Sequence, residues 1–105
     1  GIVASSSPAA LGLLQVLDLH GRGVQRIDQA ALWPLTSLQT LLLSFNSIKS
    51  LGTLPSCPTV THLDVSFNLL EAINTLSSFP ALRHLDVSWN SLLSLDTIGT
   101  LVSDV

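Results

Sequence analysis

Apolar and polar residues alternate around "HLDVSFN", which begins at His62, and again around "HLDVSWN", which begins at His84. A period of two is the mark of a strand with one buried face. The two stretches start 22 residues apart, and sliding the chain along itself yields four such units. They read "LLQVLDLHGRGV" from Leu13, "LQTLLLSFNSI" from Leu38, "VTHLDVSFNLL" from Val60 and "LRHLDVSWNSL" from Leu82. The first, aligned on Leu14, precedes Leu38 by 24 residues, and the next two steps are 22 each. In every unit an apolar residue opens and others follow at offsets three, five and ten, as in Val60, Leu63, Val65 and Leu70.

The remainder of each unit keeps the same register. Ile27, Leu51, Ile73 and Leu95 form one apolar column, Leu54, Leu76 and Ile98 a second, and Leu11, Leu35, Cys57, Phe79 and Leu101 a third. Asn46, Asn68 and Asn90 recur where the chain must leave the strand. An inward amide there can donate to and accept from backbone groups that no ladder satisfies. The return segments, such as "LEAINTLSSFP", have helical or 3-10 spacing, and Pro55, Pro58 and Pro80 stand near their ends. A unit of this kind buries its apolar face only against the next one. The pattern therefore predicts a right-handed α/β solenoid of four units with a parallel concave sheet. The units run over residues 14–37, 38–59, 60–81 and 82–103 of a single domain, 1–105.

The pattern L-x-x-L-x-L-x-x-N-x-L resembles the leucine-rich repeat, and the resemblance covers residues 11–102. The 22-residue period is similar to the class typified by a nuclear phosphatase regulator. Spliceosomal, axonemal dynein light-chain and tubulin-cofactor proteins belong to the same class. The resemblance implies a non-catalytic scaffold that binds another protein through its concave face. The alternative it leaves is a structural subunit of a ribonucleoprotein or of a cytoskeletal or axonemal assembly. It also implies an intracellular setting, cytoplasmic or nuclear, with cytoskeletal or ciliary assemblies included.

Composition narrows the classes. The chain is 47% hydrophobic and 10% charged, the reverse of the balance that goes with disorder. No stretch approaches the roughly 18 consecutive apolar residues of a membrane span. A net charge of −3 leaves electrostatic nucleic-acid binding without support. Cys57 is the only cysteine, so neither an internal disulfide nor a CxxC site can form. A single thiol suits a reducing compartment, and "GIVASSSPAALGLL" lacks the features of a secretory signal. Cys57 falls in a core column, where a thiol acts as a small hydrophobe with a raised pKa.

Subtracting the scaffold leaves the residues that point outward from the strands. One column holds Val16, Thr40, His62 and His84, and the next Asp18, Leu42, Asp64 and Asp86. A third holds His20, Ser44, Ser66 and Ser88, and a fourth Gly21, Phe45, Phe67 and Trp89. The candidate partner contacts are Leu42, His62, Asp64, His84, Asp86, Trp89 and Phe67. His62, His84, Asp64 and Asp86 could supply metal ligands, but a solvated ladder with shared histidine–aspartate hydrogen bonds is the expected arrangement. No G-x-S-x-G elbow or glycine-rich phosphate cradle accompanies Ser66 or Ser88, so no catalytic residue, metal or cofactor is assigned. The aromatic column has two readings: rings covering the strand-to-loop corner, or a docking strip with Trp89 as anchor and Phe45 as packing residue. Trp33 reads as core or convex-surface packing, and Leu69 and Leu93 as exposed. Histidines on a shared face imply binding that responds between about pH 5 and 8.

The ends complete the expectations. At the front, Pro8 and the alanines offer at most one helical turn over Leu11 and Leu14, and Arg22 stands where later units have asparagine. At the back, Leu92, Leu95, Ile98 and Leu101 complete a layer, and Asp104 stands where a fifth unit would open. That layer, and the absence of methionine, imply a section of a longer protein or a C-terminal edge covered by a partner.

Overall fold

A computed structural model describes residues 8–73 and 76–91. Helix α1 (Pro8–Leu13) leads into strand β1 (Val16–Asp18), followed by α2 (Gln29–Leu32), β2 (Thr40–Leu42), a 3-10 turn (Leu51–Thr53), β3 (His62–Asp64) and β4 (His84–Asp86). The strands form one parallel sheet in chain order. The register sets Val16, Thr40, His62 and His84 in one row, and Asp18, Leu42, Asp64 and Asp86 in another. Both rows are those expected from the alternation. Parallel neighbours joined by crossovers take the right-handed sense, and the result is an α/β leucine-rich-repeat-like solenoid.

Each strand is three residues long, yet the pairing runs further. Leu19, Leu43 and Val65 donate to the carbonyls of Leu42, Asp64 and Asp86 on the next strand at 2.7–2.9 Å. The asparagines then take over. Asn68 accepts from the Ile48 N–H at 3.0 Å and donates to the carbonyls of Leu43 and Val65 at 2.9 and 3.0 Å. Asn46 does the same for Val24, Leu19 and Leu43, and Asn90 for Leu70, Val65 and Val87. The Arg22 N–H donates to Asn46, so the first unit uses the second unit's amide without supplying one.

The core follows the columns. Leu38, Leu41, Leu43, Ile48, Val60, Val65 and Leu70 of the two middle units are all but inaccessible. Leu14, Leu19, Val24 and Ile27 of the first unit are only partly buried. A solenoid layer is sealed by its neighbours on both sides, so terminal layers are the more open ones.

One expectation changes. α1 spans six residues, about one and two-thirds turns at 3.6 residues per turn, not one. Proline suits the first helical position, and the alanines and leucines that follow are strong helix formers. Its Gly12 carbonyl accepts from the Ser37 hydroxyl at 2.6 Å, which ties the helix end to the second layer. The return segments carry the short helical and 3-10 elements expected of them. The first carries α2, the second only the 3-10 turn, and in the third the described residues form turns while Ile73, Leu76 and Phe79 remain buried. The expectations for Leu92, Leu93, Leu95, Ile98, Leu101 and Asp104 lie outside the described residues.

Candidate functional site

The outward sides of the four strands form the concave surface. Its first row runs Val16, Thr40, His62 and His84, and the two imidazoles stack with centroids 4.3 Å apart. His62 Nδ1 lies 2.9 Å from the Thr61 hydroxyl. In the second row Leu42 is half-buried among aspartates.

Beyond the strands the chain makes the same small clasp three times. Asp64 Oδ1 accepts from the Ser66 N–H at 2.9 Å and from its hydroxyl at 2.6 Å. Asp86 holds Ser88 at 3.0 and 2.6 Å. Asp18 holds the His20 N–H at 3.1 Å and its ring Nδ1 at 2.6 Å. This pairing pulls the Asp18 carboxyl below its ordinary value, the His20 side-chain bond being the main cause and the His20 backbone bond the second. The expected histidine–aspartate ladder is thus corrected. Among the described residues Asp18 pairs with His20, while Asp64 and Asp86 bind the serines two residues on, because that clasp closes within one strand exit. The hydroxyls of Ser66 and Ser88 are committed to carboxylates, which is not the bond a serine nucleophile makes with its base.

In all four units the residue after the third-column position lies in the left-handed region, with a clasp before it in three of them: φ is 57° at Phe45, 54° at Phe67 and 57° at Trp89, and 64° at Gly21. These are the four members of the fourth column. The outward phase of a strand did not foretell this conformation, but the glycine in the same column was its signal. The rings stack: Phe45 on Phe67 at 4.2 Å, and Phe67 on Trp89 at 5.5 Å. Phe67 is the ring enclosed on both sides, at 39% exposure against 58% for Phe45 and 73% for Trp89. Phe45 packs on Phe67, and Phe67 is the more enclosed of the two.

On the convex side, Trp33 takes the second of its two expected places. It is not core: the ring is 73% exposed and lines a groove of about 440 Å³ with Leu32, Cys57 and Pro58. Leu69 is exposed, as expected. Burial pushes the Cys57 thiol up to about 11. Among the described residues, no group of three or more histidine, cysteine, aspartate or glutamate side chains is placed to hold a metal ion. No helix among them is long and apolar enough to cross a membrane.

Comparison with protein families settles what this architecture belongs to. The family description "Leucine Rich repeats (2 copies)" matches residues 36–78, and "Leucine Rich Repeat" matches residues 81–101. The chain belongs to the leucine-rich-repeat family. The matches cover the second to fourth repeats, and the first, with Arg22 in the asparagine position, joins them through the β1–β2 register. Leucine-rich-repeat domains generally mediate protein–protein interaction as non-catalytic scaffolds. A search of curated proteins finds no match for this leucine-rich-repeat chain.

Proposed function

We propose that residues 1–105 form one leucine-rich-repeat domain that holds a partner protein on its concave face, without catalysis. The contacts are Leu42, His62, Asp64, Phe67, His84, Asp86 and Trp89. One observation carries this reading: an ordered strip of exposed rings stands beside an outward row in which Leu42 replaces aspartate. Rings already held by their neighbours lose little freedom when a partner covers them, and exposed aromatics are favoured interface anchors. The 22-residue period supports placing the domain in the intracellular class named above. The lone buried thiol fits that setting.

The test pairs binding with folding. A partner isolated on the wild-type chain is titrated against a Leu42→Ala, Trp89→Ala variant whose thermal melt matches wild type. Loss of about 2 kcal/mol or more of binding, roughly thirtyfold in Kd, is the expected result. Unchanged affinity after replacement of all seven residues by alanine would reduce the face to ordinary surface.

A further inference from the structure

Charge is unevenly distributed over the concave face. At the first repeat Asp18 has His20 at 2.6 Å. At the third and fourth repeats, Asp64 and Asp86 stand side by side on paired strands, and no lysine or arginine among the described residues is within ion-pair distance of either. Each carboxylate is held through Oδ1 by its serine, so its orientation is fixed while Oδ2 is left for another donor. Paired strands run about 4.8 Å apart, which sets the two carboxylates at a separation one guanidinium can span. Arg83 does not neutralise them. It lies with His62 and His84 along a shallow groove at the opposite end of the strands. Three residues beyond the aspartates, Phe67 and Trp89 stack at 12° to one another with their surfaces exposed.

We infer that the partner segment seated here is extended and carries an arginine. Its guanidinium bridges Asp64 and Asp86, and an apolar or aromatic residue beside it packs on Phe67 and Trp89. This rests on the concave-face reading above and names the chemistry of its partner. Arginine fits better than lysine because its planar fork presents several donors at once and lies flat against rings. The chain's net charge of −3 favours approach of a basic segment over an acidic one.

The probe is a display library of random twelve-residue peptides selected on the whole chain, with enriched peptides titrated against three proteins. These are wild type, Asp64→Asn with Asp86→Asn, and Trp89→Ala, each checked by its thermal melt. The asparagine oxygen still accepts from Ser66 and Ser88, so the first variant removes charge while keeping the clasp. Enrichment of arginine next to an apolar residue is expected, with binding at least tenfold weaker to the asparagine variant and falling as salt rises. Peptides that lack basic residues, or that lose affinity for Trp89→Ala alone, would overturn the arginine inference and leave the concave-face reading standing. Equal binding to all three proteins, or no enrichment, would overturn both.

Discussion

Replacing Asn68 by alanine tests the asparagine ladder where its environment is driest. Asn68 is 6% exposed, and the groups it serves belong to Ile48, Leu43 and Val65, all at 0%, and to Ser66 at 5%, whose carbonyl also accepts from the Phe45 N–H. The consequences for those groups differ. The Leu43 carbonyl also accepts from Asn46, and the Val65 carbonyl from Asn90, at 2.9 and 3.0 Å, so each keeps a partner. The Ile48 N–H has only Asn68 in the ladder and is orphaned. One buried unsatisfied donor costs about 1–3 kcal/mol, and each further lost bond about 0.5–1.5. The loss should come to about 3 kcal/mol, a large fraction of a typical domain's 5–15. Asn46→Ala should cost less, about 1–2 kcal/mol, because Arg22 is exposed and Val24 half-buried, so water can replace the amide. Urea unfolding followed by circular dichroism and tryptophan fluorescence measures both. An Asn68→Ala variant within 0.5 kcal/mol of wild type, or an Asn46→Ala variant less stable than it, would refute the assignment of the ladder's strength to its dry centre.

Three further outcomes follow from the geometry. Phe67→Gly should be more stable than Phe67→Ala by up to about 1 kcal/mol, the reverse of the usual order within strands and helices, since φ is 54° there. Equal melting of the two variants would mean that the corner relaxes when the ring is removed. The Cys57 thiol, raised from 9.0 to about 11, favours the folded state while protonated. Its contribution is whole below pH 9 and is lost as pH rises toward 11, by at most about 3 kcal/mol, so Cys57→Ala should flatten that decline in the urea midpoint. A parallel decline in both proteins would show that other groups cause it. For Asp18, carbon-detected NMR titration should find the carboxyl ionising below 3.8, and His20→Ala should return it toward that value. A depressed carboxyl stabilises the fold above its unfolded value and ceases to as pH falls through its folded value, so an unshifted Asp18 in both proteins would remove the pair from acid stability.

The strands, their register and the buried columns were readable because each obeys a period, and a period survives in sequence whatever the side chains do in detail. Asn68 could be placed inward for the same reason. The return segments were legible as inward spacing, with Ile73, Leu76 and Phe79 buried, but which of them is α-helical and which 3-10 was not. The outward surface was legible in position but not in partnership. His62 and Asp64 share a face, yet whether Asp64 bonds an imidazole or Ser66 depends on the local turn, which alternation does not encode. Trp33 shows the limit from the other side. Its place in the return segment allowed core or convex-surface packing alike, and with Leu32 and Leu35 buried beside it the ring stands outside.

The aromatic column is where that distinction between scaffold and surface can be weighed. A side chain in the left-handed region costs about 1–2 kcal/mol that glycine does not incur, and three of the four corners accept it with Phe45, Phe67 and Trp89. Over three corners that is about 3–6 kcal/mol, and two ring contacts at about 0.5–1.5 kcal/mol each return only about 1–3. Gly21 makes the same corner without a ring, and a side chain added there would meet open space rather than a packing partner. The corner itself therefore needs neither the rings nor the stack. Strained positions persist when the surrounding structure holds them, and they cluster at binding surfaces. On the proposed concave-face reading the strain is the cost of presenting an ordered aromatic strip beside Asp64 and Asp86; on the other reading the rings only cover the corner.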